Sequence, residues 1–120
     1  MSGHNAAKDL VNAGYDIDSP GHNGTIGSPA TQGGVVSLVT GATQQDIGLA
    51  APERAGLEIT ICLQTDGGGN AVVTAASAVN QTGNTVMTLA DAGDNISLKA
   101  VRVGSSFAYR VVGNDGVALS

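Results

Sequence analysis

Two histidines, one cysteine and ten carboxylates are the groups in this chain whose types could do chemistry. His4 and His22 each stand in a Gly-His-Asn triplet. A metal pair would need further ligands in a rigid frame, and no His-x-x-x-His or Cys cluster accompanies them. Asp16, Asp18 and Asn23 have the outline of a calcium loop, with Gly21 at the sixth position. Gly27 stands where the twelfth position requires an acidic ligand, and Pro20 occupies a ligand position, so the segment reads as a polar turn.

Cys62 lies in the strand-like run Leu57 to Leu63. A nucleophilic thiolate needs a base and an electropositive setting, and nothing local supplies either. It reads as a small buried hydrophobe, and as the only cysteine it allows no intrachain disulfide. Gly67-Gly68-Gly69 resembles a phosphate cradle, but no Lys-Ser/Thr pair and no helix follow it. Asp66, Asp91, Asp94 and Asp115 all fall in turns, where Asp bonds its own backbone. Two of them could make a glycosidase pair, but one Phe, two Tyr and no Trp leave little to stack on a sugar. The triplets at Asn23, Asn80 and Asn95 match the glycosylation pattern; the expectation is no secretory leader, which would make them chance matches. The expectation is no catalytic residue, no metal and no cofactor.

The elements that would position any site are strands. Leu57 to Leu63 alternates, with Leu57, Ile59, Ile61 and Leu63 on one face, which is a half-buried strand. Thr65 to Asn70 predicts a turn, and Ala71 to Ala75 a return strand completing a hairpin. Val35 to Thr40, Thr85 to Leu89, Asn95 to Val103, Phe107 to Val112 and Val117 to Leu119 add further strands. A slip at Ala100 predicts a β-bulge, with Val101 and Val103 buried beyond it. Gly41 to Gly56 reads as a connection holding at most one helical turn near Pro52. Strands every eight to twelve residues predict an all-β fold, an antiparallel β-sandwich or barrel, jelly-roll-like.

The front of the chain reads differently. Residues 1–14 predict a short helix capped by Asn5 and ended by Gly14, with Ala6, Leu10 and Val11 on one face. Residues 15–34 hold Pro20, Pro29 and many glycines and predict no regular structure. Residues 1–34 are therefore expected to be an extended N-terminal arm on a β domain of residues 35–120. Leu10, Val11, Tyr15, Ile17 and Ile26 are the arm's candidate contacts with a partner.

Charge and composition narrow the partners. Five Lys and Arg against ten Asp and Glu give a net charge of -5. That balance repels phosphate backbones, so no nucleic-acid partner is expected. No run of about 18 apolar residues exists, so no membrane span is expected. Glycine reaches 18 of 120 residues, which suits many tight turns.

Several stretches together resemble a known family. They are Asp66-Gly67-Gly68-Gly69-Asn70-Ala71-Val72-Val73-Thr74, Thr85-Val86-Met87-Thr88-Leu89, Ala92-Gly93-Asp94-Asn95-Ile96-Ser97-Leu98, and Tyr109 to Val117. Their order resembles small β-rich virion proteins of tailed bacteriophages, including capsid decoration (cement) proteins and related head- or tail-fibre modules. The likeness spans residues 45–119, with Tyr109 where the family often carries Trp. It implies a homotrimer on the outer capsid surface, bound to the major capsid protein where capsomers meet. Net negative charge is compatible with an outer surface. The leading expectation is a non-enzymatic structural virion protein that stabilises the shell through its arm and trimer contacts. The alternative is a receptor- or glycan-binding fibre module using loops Asp66–Asn70, Asn80–Asn84 and Gly113–Gly116. A small hydrolase would require the turn carboxylates to cluster.

Overall fold

A computed structural model describes residues 16–29 and 33–120. The described chain is all-β, with nine strands in two sheets packed face to face. One sheet has the order β2 (Val35–Val39), β4 (Glu58–Thr65), β7 (Asn95–Val103), β8 (Ser106–Asp115). The other has the order β1 (Thr25–Ile26), β3 (Gln45–Leu49), β5 (Ala71–Ala75), β6 (Val86–Leu89), β9 (Ala118–Leu119). Alternation of side chains decides which residues face inward. Val36, Leu38, Ile59, Ile61, Leu63, Ile96 and Leu98 from one sheet meet Ile47, Leu49, Val73, Met87 and Leu89 from the other, all buried. Tyr109 is the one aromatic side chain of this core.

The sheets are mixed rather than wholly antiparallel. From β1 to β5 the chain alternates between sheets, and each strand from β3 on lies parallel to the one two places before it. Val35 pairs with Thr60 and Gln45 with Ala71, so one turn of this coil takes about 25 residues. Asp16 bridges to Val35 in parallel, which starts the coil one step earlier. From β6 onward the pairing is antiparallel.

The coil overturns the expected hairpin at residues 57–75. β4 and β5 lie in different sheets, and Thr65 to Asn70 is a corner between them. That corner stacks on the earlier corner at Thr40 to Gln44. The Gly69 amide donates to the Gly41 carbonyl at 2.8 Å, and the Gln45 amide to the Asn70 carbonyl at 2.9 Å. The Gly67 amide donates to Thr40 Oγ1 at 3.3 Å. A side chain at Gly69 would run into the Thr43 carbonyl, and one at Gly67 into the Thr40 carbonyl. Gly68 takes φ +114°, which a residue with a Cβ adopts only under strain.

The predicted connection at residues 41–56 contains β3, whose Ile47 and Leu49 fill the core. No helical turn forms near Pro52. The bulge lies between Ser97 and Leu98, opposite Val112, and not at Ala100. Ala100 stays in register with Tyr109 and is buried, which leaves Val103 exposed.

The segment expected as a free arm joins the sheets at two places, with Thr25–Ile26 forming β1 and Asp16 bridging to Val35. Ile26 pairs with Leu49 within β1 and β3 and is fully buried. Ile17 packs against the same core, and its amide donates to the Val35 carbonyl at 2.8 Å. The expectation of Ile17 and Ile26 as pegs for a partner is corrected accordingly. A single apolar residue in a polar stretch is enough to seat each against the chain's own core, because β2 and β3 supply the edges beside them. The predicted helix at 1–14, and Leu10, Val11 and Tyr15, lie outside the described residues.

Candidate functional site

The residues with chemical potential are spread over the fold. The His22 Nδ1 accepts the Asp46 amide at 3.0 Å, an anchor of one corner to the start of β3. Among the described residues no three His, Cys, Asp or Glu side chains converge on a common point. Asp66 accepts the Gly68 amide at 2.9 Å, and Asp94 Oδ2 accepts the amides of Ala90 and Asp91, both at 3.0 Å. Both carboxylates thus hold their own turns. Asn80 does the same, accepting the amides of Gly83 and Asn84 at 3.0 Å.

The loops that would have formed a glycan site do not meet. Asp66–Asn70 and Gly113–Gly116 lie where β4 and β8 end, at one end of the sandwich. Asn80–Asn84 connects β5 to β6 at the opposite end. Strand direction alone separates them by the length of the sheet.

One broad surface stands out instead: the outer face of the β2-β4-β7-β8 sheet. Register places Val35 beside Thr60 and Thr60 beside Ser97, then Ser37 beside Cys62 and Cys62 beside Asn95. Thr60 Oγ1 and Ser97 Oγ share a hydrogen bond of 2.9 Å at the centre. Cys62 is a half-buried free thiol on this face, rather than the core residue expected. Val35 is 41% exposed and Val39 53% on one edge strand, and Val112 is 62% exposed at the bulge of the other. None of these residues carries a charge. One row further along the same face, Glu58, Lys99 and Arg110 lie side by side on β4, β7 and β8, with Lys99 and Glu58 3.6 Å apart.

A sheet face meant only for water usually carries charged side chains. Here small hydroxyls satisfy one another in the middle, and β-branched apolar groups stand at both sides. Away from the row of Glu58, Lys99 and Arg110, such a surface can be covered by protein at little desolvation cost. The sequence held a sign of this. In Val35-Val36-Ser37-Leu38-Val39 both alternate sets are apolar, so a strand that buries Val36 and Leu38 must present Val35 and Val39 outward. Val112 gave no such sign, because its outward position depends on the bulge.

A comparison with models of known protein families finds none that matches the chain, and a comparison with curated proteins finds no match.

Proposed function

We propose that this chain is a non-catalytic structural protein of a virion, a capsid decoration protein that binds the outer capsid surface as a homotrimer and ties neighbouring shell subunits together. The observation that carries the reading is the uncharged part of the outer face of the β2-β4-β7-β8 sheet around Ser37, Thr60, Cys62, Ser97 and Asn95, with Val35, Val39 and Val112 exposed beside it. The resemblance over residues 45–119 to small β-rich phage proteins supplies the setting, and a net charge of -5 suits an exterior position away from packaged nucleic acid. Ile17 and Ile26 serve the chain's own core, so capsid and trimer contacts are assigned to the sheet face and to residues 1–15, including Leu10, Val11 and Tyr15. Added buried interface is the mechanism, since each contact must be broken before the shell can open.

The test combines solution mass with particle binding. Sedimentation should give a species of about 35 kDa, three copies of the 11.8 kDa chain. Purified undecorated capsids should take up the protein, and V39D with V112D should abolish uptake while leaving thermal unfolding unchanged. A monomer that ignores capsids, or a double variant that binds as well as the native chain, would defeat the proposal.

A further inference from the structure

We infer that a slot on the outer face of the β1-β3-β5-β6-β9 sheet is a binding site for a lysine side chain of a partner protein, its stem lying over Gly48 and its ammonium on Asp46. The inference goes beyond the proposed virion role and does not depend on it.

Register defines the face. Thr25, Gly48, Thr74 and Val86 pair across four strands and form one outer row. The next row is Asp46, Val72, Thr88 and Ala118. Ile26, Ile47 and Leu49, their neighbours along the strands, point into the core. Asp46 is the one charged residue in these two rows, amid hydroxyls, small apolar groups and a glycine. The four Lys and Arg of the described residues lie elsewhere: Lys99, Arg102 and Arg110 on β7 and β8, and Arg54 in the approach to β4.

Gly48 turns part of this face into a slot. Adjacent strands lie about 4.8 Å apart, so Thr25 and Thr74 stand roughly 10 Å apart with only the backbone of Gly48 between them. A Cβ at Gly48 would meet Thr25 Oγ1 at 3.1 Å and Thr25 Cγ2 at 3.6 Å, so the Thr25 side chain leans over the glycine as one wall. The slot has a volume of about 310 Å³ and is bordered by Asn23, Thr25, Asp46, Gly48 and Thr74. Asp46 lies two residues from Gly48 on the same face of β3, about 6.6 Å along the strand, a distance that an extended lysine side chain spans.

Electrostatics choose the occupant. The Asp46 amide donates to His22 Nδ1 at 3.0 Å and its carbonyl accepts the Asn23 amide at 2.7 Å, which fixes where the carboxylate stands. Asp46 Oδ1 accepts from Gln44 Nε2 at 2.8 Å, and Oδ2 is left open among the described residues. A partner lying on this face would bury that carboxylate unpaired unless it brings a cation. One open oxygen suits the compact ammonium of lysine better than the two-pronged fork of arginine. The lysine stem packs along the slot while its head stays at the polar end. A sugar would find no aromatic ring in the slot to stack on.

A single side chain contributes modest affinity, so preference is the readable quantity. The probe is acetyl-Ser-Gly-Lys-Gly-Ser-amide, titrated into the nitrogen-15-labelled full chain. Versions with norleucine, arginine or glutamate in place of lysine are the controls; norleucine keeps the stem and lacks the charge. The lysine peptide should shift the amide resonances of Asn23, Thr25, Asp46, Gly48 and Thr74. It should bind about threefold to fivefold more tightly than the norleucine peptide at low salt, as an exposed ion pair allows. Asp46→Asn keeps the shape and removes the charge, and should erase the advantage of lysine over norleucine. Gly48→Val fills the slot and should abolish binding of both peptides, with thermal unfolding as the check on its fold; Asp46→Asn decides the matter if that variant does not fold. Equal binding of the lysine and norleucine peptides, tighter binding of the arginine peptide, shifts centred elsewhere, no shifts at millimolar peptide, or an undiminished preference in Asp46→Asn would each overturn the inference.

Discussion

Replacing Gly69 by alanine is the sharpest test of the stacked-corner geometry. The added methyl would meet the Thr43 carbonyl carbon and oxygen, with the Gln44 amide nitrogen 2.9 Å away. These are backbone atoms, so no side chain can swing aside. The two corners must separate. Separation weakens the bond from the Gly69 amide to Gly41 and the one from the Gln45 amide to Asn70. Each is worth about 1 kcal/mol net, and the forced shift costs a further 1 to 3 kcal/mol, roughly, as overpacking does elsewhere. The expected loss is about 3 to 5 kcal/mol, a large part of a stability typically near 5–15 kcal/mol.

Urea unfolding followed by circular dichroism measures it. With a slope of about 2 kcal/mol per molar, the midpoint should fall by roughly 1.5 to 2.5 M. Gly41→Ala is the matched control, because Gly41 sits in the same pair of corners, has no positive φ, and has nothing within 4 Å of its would-be Cβ. It should leave the midpoint unchanged or raise it slightly by restricting the unfolded chain. Were Gly69→Ala within about 0.5 kcal/mol of the native chain, as ordinary surface changes are, the close stacking of corners would be wrong, and with it the parallel coil of β2 to β5.

Three further outcomes follow from the same packing. Ile26→Ala should cost about 2 to 5 kcal/mol in urea unfolding, the range for deleting a fully buried side chain, whereas an exposed arm residue would cost almost nothing. Asp94→Ala strips the acceptor from the amides of Ala90 and Asp91 and should lower stability by about 1 to 2 kcal/mol, measured in the same way. Lys99→Ala removes only an exposed pair whose side chains are 50% and 57% accessible; it should change the midpoint negligibly, even at low salt.

Strand faces were legible in the sequence. The alternation at Leu57 to Leu63 predicted which residues β4 buries, and Ile59, Ile61 and Leu63 are all inside. The hairpin of β7 and β8 was also legible, since Gly104-Ser105 leaves no room for a crossover. Partners were not. Period two says which way a side chain points and nothing about which strand lies alongside, so alternation with a glycine turn predicts Ala71 to Ala75 beside β4, whereas it lies beside β3. The burial of Ile17 and Ile26 is hidden in the sequence for a related reason. A two-residue strand has no period to detect, and its burial depends on an edge supplied more than 20 residues later. Val79, fully buried inside a loop, was invisible on the same grounds.

The triplet Gly67-Gly68-Gly69 shows where a finer reading was available. Three glycines in a row suggest a loose turn, but each answers a separate demand here. Gly68 takes the positive φ, while Gly67 and Gly69 lack positive φ and are needed because another backbone passes against them. A two-residue hairpin needs glycine for its dihedrals alone. Glycines on both sides of the turning residue instead mark a place where two corners touch, and corners touch when a chain coils in parallel turns. That distinction predicts that Gly68→Ala, whose nearest neighbour is the Ala42 Cα at 3.9 Å, should lose only the strain of its dihedral, about 1 to 2 kcal/mol. Gly69→Ala should lose about twice as much, so a reversed order of the two midpoints would count against a coil built on stacked corners.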